Sequence, residues 1–481
     1  MNRYIYSIHP ITELNKKIKT MKVLWRDIRE AVGGTSADFT EGSLKRAIFL
    51  LSVPMVLEMV MESVFAVVDI FFVSKLGADA VATVGLTESL ITVVYAISMG
   101  LSMAASALVS RRIGEKRHGY AARTAFQAIL TGLLVSMIIG IPGFMLAPAL
   151  LRVMGASETI VSDMWGFTAL MLGGNSVIML LFIMNAVFRS AGDAAISMRV
   201  LWLANLVNLV LDPMLIFGIG PFPALGVTGA AVATTTGRGL AVLYQIYILL
   251  SGKSRIKIRL SDMTIDVRLI GQLLRLSLGG VGQNLIATSS WIGMVRLVSA
   301  FGSTVVAGYT IAIRLIGFAM LPSWGISNAS ATLVGQNLGA QKPDRAERSI
   351  WATGKINMVV LGLTGLVFAL WPSAFITIFI HDPGVVEAGA AALRIISYGF
   401  VAYGLGMVLI QSFNGAGDTL TPMRINLFCF WLLEIPLAYL SALVIGLGEK
   451  GVFYSIVIAE TSMTMTAWIL LRQGKWKLKQ V

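Results

Sequence analysis

The chain is 481 residues long, 56% hydrophobic and only 13% charged, with a mean hydropathy of +0.79. Soluble domains carry about 25% charged residues, so the composition excludes a soluble globular protein and calls for one embedded in a bilayer. The net charge of +13 does not make a nucleic-acid binder, because the cations sit in the tails and in short alternating loops rather than in one continuous stripe.

The chemistry on offer is narrow. The single cysteine, Cys429, lies in an apolar stretch, and His9, His118 and His381 lie in tails or loops. Disulfides, cysteine-ligated metal centres and Ser–His pairs within the spans are thereby excluded. With no Walker-type loop and no GxGxxG after a strand, neither an enzyme nor a resident cofactor or metal is expected.

In chain order, residues 1–43 are polar and basic, without the apolar core or cleavage site of a signal peptide. Leu24, Ile28 and Val32 recur at i, i+4, i+8, with Lys22, Arg26 and Arg29 elsewhere on the turn. This pattern reads either as an interfacial helix on the inner leaflet or as a disordered tail. Twelve stretches long enough to cross a bilayer follow: 47–74, 80–109, 121–151, 158–187, 196–219, 226–251, 269–300, 304–335, 349–380, 386–412, 422–446 and 451–472. One set of loops holds nearly all the loop lysines and arginines. The other holds little beyond Lys75, Arg152 and Lys450. Both termini are therefore expected on the cytoplasmic side of an inner membrane.

A shift of 225 residues superposes the two halves. Ser52 meets Ser277, Gly100 meets Gly325, Gly114 meets Gly339, Arg123 meets Arg348, and Ala191-Gly192-Asp193 meets Ala416-Gly417-Asp418. Six spans per copy leave both copies facing the same way. The expected fold is an all-α membrane protein of twelve transmembrane helices in two parallel six-helix bundles related by a pseudo-two-fold axis. Its parts are a tail (1–43), an N-lobe (44–251), an inter-lobe loop (252–268), a C-lobe (269–472) and a basic tail (473–481).

Asp69 on span one and Asp212 on span five stand in apolar surroundings, where a carboxylate is costly and marks an ion or substrate pathway by default. In the repeat register Asp69 faces Met294, Asp212 faces Leu437 or Ile435, and Asn208 faces Leu433 or Trp431, so this polar set is confined to the N-lobe. Asn205, Asn208 and Asp212 are spaced i, i+3, i+7 and share a helix face. Each aspartate lies roughly 9–12 Å below the outer end of its span at 1.5 Å per residue. Two carboxylates at equal depth can share a proton or a transient Na⁺. A buried Asp–Asn network can also be purely structural, but a fold requirement should recur in the second copy. Glu58 and Glu62 share a face with Asp69 and are candidate gate residues, or else pair with Arg or Lys at the inner surface. Pro54 lies inside span one and kinks it; protonation at Asp69 is expected to change that bend. Asn175 reads as interhelical glue. Arg296, Arg314 and Glu434 in the C-lobe read as interhelical ion pairs. Some of the 24 methionines suit an adaptable cavity lining.

The segments VVDIFFVSKLGADAVA, RSAGD, NLVNLVLDPMLIFG, GVTGAAVAT, LVGQNLGAQKPDRAE and NGAGDTLTPM, in this order, resemble those of the MATE (multidrug and toxic compound extrusion) family over residues 45–472. The resemblance implies a V-shaped pair of bundles that opens alternately to each side and exports cationic or amphipathic compounds in exchange for H⁺ or Na⁺. In its DinF-type branch, Asp69, Asn208 and Asp212 match the cation-coupling positions. Asn185 and Thr234 fall near the family's cavity positions and Pro54 matches its kinking proline; Asn205, by the face it shares with Asn208, is expected to line the same cavity. The NorM-type branch carries acids on spans seven and ten, where this chain has Gln283, Asn284, Thr288 and Ser289, and only Glu387 at an edge. The expected protein is a monomeric, cation-coupled multidrug exporter in the lipid bilayer. The alternative is a flippase for lipid-linked oligosaccharides. That role would call for several Arg or Lys in the N-lobe cavity, and the N-lobe spans hold almost none.

Overall fold

In the bilayer every backbone amide must be satisfied within its own segment, so long apolar stretches can only be helices. The computed structural model describes residues 9–480, with side chains described from residue 21 onward except Ala66. Eight of its helices are individually long and apolar enough to span a membrane. A ninth crossing is the pair Pro383–Ser397 and Phe400–Gly415, bent by 57°. Three further helices, Leu44–Ser74, Val227–Ser251 and Val267–Val298, complete the twelve. Among these three are the helices that carry Asp69 and Arg238.

The other spans are Ala78–Gly114, His118–Met145, Trp165–Ala191, Ala194–Phe217, Ser303–Gly339, Pro343–Leu370, Leu420–Val444 and Glu449–Arg472. Spans two and eight overrun the lengths read from hydropathy, because their ends nearest the chain termini stay buried between the lobes instead of stopping at a membrane surface. Span eleven is wound as π-helix over Leu427–Glu434 and Leu440–Val444. Span one runs through Pro54 as one continuous helix. Residues His9–Gly33 form a helix. Asp27 and Glu30 bind Arg46 at the start of span one, and that pairing docks the helix to the bundle. The first eight residues of the tail and Val481 lie outside the described residues.

The lobes meet along a seam of glycines whose contacts repeat the sequence register. A Cβ at Gly100 would lie 2.6 Å from the Val281 side chain, and one at Gly325 would lie 2.8 Å from the backbone of Val56. A Cβ at Gly114 would lie 1.9 Å from the Gln336 carbonyl oxygen, and one at Gly339 would lie 2.1 Å from that of Arg111. Subtracting 225 turns each contact into its partner, so the pseudo-two-fold axis passes through this seam. Missing side chains are what let spans one and two of one lobe close on spans seven and eight of the other. Direct bonds between lobes cluster at the end of the molecule that carries the termini, where Gln336 donates to the Ser190 carbonyl (2.8 Å) and Thr332 to that of Arg189 (3.3 Å).

The seam is testable. Gly339→Ala has no room for its methyl group, so the lobes should separate at the terminal face. Spin labels at His118→Cys and Gln341→Cys, both exposed, are expected to move apart in that variant. An unchanged distance distribution would count against the seam as the closing contact.

Candidate functional site

The fifth span lies between the first and the sixth. Gly237 allows the close approach to span six, since a Cβ there would lie 2.8 Å from the Ala204 carbonyl oxygen. Asn208 and Asp212 are one helical turn apart. The Asn208 amide donates one hydrogen to Asp212 Oδ1 (3.2 Å) and the other to Thr234 Oγ1 on span six (3.1 Å). Both amide donors are then spent. Asn208 Oδ1 and Asp212 Oδ2 stay buried with no donor, as does Asp69 Oδ1 on span one. Asp212 is fully buried, and the charge of Asp69 acts on it. The cluster is thus all acceptors. A buried acceptor without a donor costs about 1–3 kcal/mol, and more when charged, so a proton or a small cation at this point removes a standing penalty.

Nearer the terminal face, Glu58 is buried and accepts from Arg189 (2.7 Å) and from the Asn185 amide (3.3 Å). Asn185 in turn accepts from Gln245 at 2.7 Å. Glu62 accepts from Arg238 at 3.5 Å, and Arg238 also reaches Tyr95 Oη at 3.4 Å and stacks over Phe65. Both glutamates therefore pair with arginines of the N-lobe's own spans four and six. Asn205 donates to the Met61 carbonyl at 3.5 Å and ties span five to span one. Asn175 donates to the carbonyls of Ser136 and Leu172.

Reading for acids alone passed over the cations. Arg189 and Arg238 both lie in N-lobe spans, which corrects the statement that those spans hold almost no arginine. Arg238 is 7% exposed and its charge acts on Asp69. The rule that singled out Asp69, a charge within an apolar stretch, applies equally to TTTGRGLAV. The C-lobe also departs from expectation. Glu434 accepts from Ser290 Oγ at 3.1 Å and has no ion-pair partner among the described residues. Arg296 and Arg314 are exposed and have no carboxylate within salt-bridge distance among them. The expected ion pairs do not form, because a hydroxyl serves the buried acid while the long cationic chains reach outward. Glu460 on span twelve, not singled out from the sequence, lies near enough to Glu434 for their charges to interact. Acids thus occur in the C-lobe spans as well, but at positions other than those that match Asp69, Asn208 and Asp212 in the repeat.

A family model described as MatE matches residues 54–214 and again residues 281–440. The chain belongs to this family of multidrug-efflux membrane transporters, and its two matched segments mirror the internal repeat. It is 25% identical over 429 residues to a protein named FAD transporter from Shewanella oneidensis, covering 89% of this chain and 94% of that protein. It is 24% identical over 443 residues to a probable multidrug resistance protein NorM from Thermotoga maritima, covering 91% and 94%. A solved structure described as the outward-facing conformation of a multidrug resistance MATE family transporter superposes with a TM-score of 0.85 at 24% identity, covering 92% of this chain and 98% of that one.

The Glu58–Arg189 pair gives a direct test. Arg189→Met strands a buried carboxylate, which should cost about 3–5 kcal/mol. The double variant Glu58→Leu/Arg189→Met should recover most of that loss in a thermal melt. Equal destabilisation of the single and double variants would show that the pair is not the source.

Proposed function

We propose that the chain is a cation-coupled multidrug exporter of the inner membrane, with both termini cytoplasmic, working by alternating access in the manner of the DinF-like branch. The observation that carries this reading is the set of donorless oxygens on Asp69, Asp212 and Asn208, which H⁺ or Na⁺ entering from outside would occupy. One elementary charge crossing 100 mV contributes about 2.3 kcal/mol, enough to bias rigid lobes between two packings. Thr234 fixes the Asn208 amide, and Pro54 supplies the point at which span one bends when the site is filled. Asn185 and the Glu58 and Glu62 pairs form the inner wall of the N-lobe, where they act as gate residues. The flippase alternative is not favoured, because the two arginines that face the acids of the N-lobe, Arg189 and Arg238, each already pair with a glutamate and are too few to hold a pyrophosphate.

Cationic or amphipathic compounds are the expected substrates, exchanged for the entering cation by the protein as a monomer. Arg238 favours a second reading in which the substrate is an amphipathic anion. Only two of its five donors are engaged, both at 3.4 Å or more, and a relative of this chain is named for FAD.

In proteoliposomes with separately imposed pH and sodium gradients, Asp69→Asn and Asp212→Asn should each lose gradient-driven efflux of an organic cation about tenfold or more while eluting as folded protein. Pro54→Ala should slow it. Undiminished coupling in the Asp69→Asn/Asp212→Asn variant would defeat the assignment. The substrate class separates in the same vesicles: Arg238→Met should lower FAD transport much further than it lowers cation efflux if the anionic reading holds, and should lower the two equally if it does not.

A further inference from the structure

At the end of the molecule that carries the termini, the segment between Gly34 and Gly42 is strapped across both lobes. On the N-lobe side, Arg255 donates to the carbonyls of Thr35 and Ala37, both at 2.9 Å, and stacks on the buried Phe39. On the C-lobe side, Arg345 donates to the carbonyls of Gly42 (3.0 Å) and Glu41 (2.7 Å), and Lys342 donates to that of Thr40 (3.1 Å). Beneath the strap lies a cavity of about 600 Å³, within the 300–1,000 Å³ range of small-molecule sites. Its floor includes Gly114 and Gln336, the contact on which the two lobes close.

The walls of this cavity carry unbalanced positive charge. The lining holds Lys116, Arg199, Lys253 and Arg255 against two acids, Asp38 and Asp193. Both acids are already engaged. Asp193 accepts from the Arg255 amide (2.8 Å) and from Ser254 Oγ (2.7 Å), and it pairs with the Arg255 guanidinium at 3.3 Å. Asp38 accepts from the amide and the hydroxyl of Thr40 at 2.8 and 2.7 Å. Burial pushes the Asp38 carboxyl up, but those bonds and the nearby Lys116 and Lys342 outweigh it and hold the group below the ordinary aspartate value, so it stays ionised and committed. Lys116 reaches Asp38 only at 3.9 Å. Arg199 bonds the Ala195 carbonyl through Nε, and Lys253 bonds Tyr247 Oη. Neither has a carboxylate partner among the described residues. The guanidinium fork of Arg199 and the ammonium of Lys253, beside the hydroxyl of Ser36 in the same lining, offer the donor set that holds tetrahedral oxyanions.

We infer that this cavity is a binding site for a phosphate-bearing small anion, supplied either as an inner-leaflet phospholipid headgroup or as a soluble phosphate compound. A ligand seated there touches the strap, the N-lobe and Gln336 of the C-lobe together.

The test uses the purified full chain in neutral detergent and reads its thermal midpoint, since a ligand that binds only the folded state raises stability with its concentration. Inorganic pyrophosphate is titrated against sodium chloride at matched ionic strength. In parallel, dihexanoyl phosphatidylglycerol is titrated against dihexanoyl phosphatidylcholine. A saturable rise with pyrophosphate alone identifies a soluble phosphate source, and a rise with phosphatidylglycerol alone identifies a headgroup; either supports the site. In Arg199→Met/Lys253→Met the half-saturating concentration should rise at least about tenfold. Ser36→Asp, which adds a negative charge from the strap side, should do the same if the first variant is poorly folded. The proposal is overturned if neither probe exceeds its matched control, or if both variants titrate like the wild type.

Discussion

Everything distinctive in the N-lobe follows from a shortage of donors. An asparagine amide has two hydrogens to give, and the fold spends both of them, on Asp212 and on Thr234. Asn208 Oδ1, Asp212 Oδ2 and Asp69 Oδ1 are left buried without a donor. In an apolar interior such oxygens are tolerable only while something positive is near. The same deficit would make a poor structural core and a good ion seat, because a network built for stability would have closed it with a hydroxyl or an amide.

The neighbouring charges sharpen the point. Glu58 and Glu62 each have an arginine from another span, although one oxygen of each is also left without a donor. Asp69 and Asp212 have no ion-pair partner among the described residues. Arg238 lies near enough to Asp69 for its charge to be felt, yet its bonds go to Glu62 and Tyr95. Of the four acids Glu58, Glu62, Asp69 and Asp212 on spans one and five, two are paired with arginines and two have no ion-pair partner among the described residues. The C-lobe carries a smaller echo of this arrangement in Glu434 and Glu460, one served by a serine hydroxyl.

How much of this could be read beforehand depended on whether the signal was local. The twelve spans, the repeat and the face shared by Asn208 and Asp212 are matters of hydropathy and spacing within one helix, and all were legible. The Asn208–Thr234 bond was foreshadowed only by family resemblance, because nothing in either helix alone states which faces meet. The pairing of Glu58 with Arg189 and of Glu62 with Arg238 joins residues more than 120 positions apart and was invisible to any window. The expected C-lobe ion pairs failed for a related reason: charge type can be read from sequence, but whether a side chain turns inward or outward is decided by packing. The glycine seam lay between these cases. Its members were visible as matched positions of the repeat, while their role as the inter-lobe contact needed coordinates.

Cys429, noted at the outset only for what it excludes, has a practical side. The sole thiol of the protein is fully enclosed in the C-lobe core, and reactivity requires both exposure and a thiolate. The wild-type chain is therefore a silent background for sulfhydryl chemistry. A reporter cysteine placed on any loop will carry essentially all the label, and any movement of the lobes can be followed without first replacing a native cysteine.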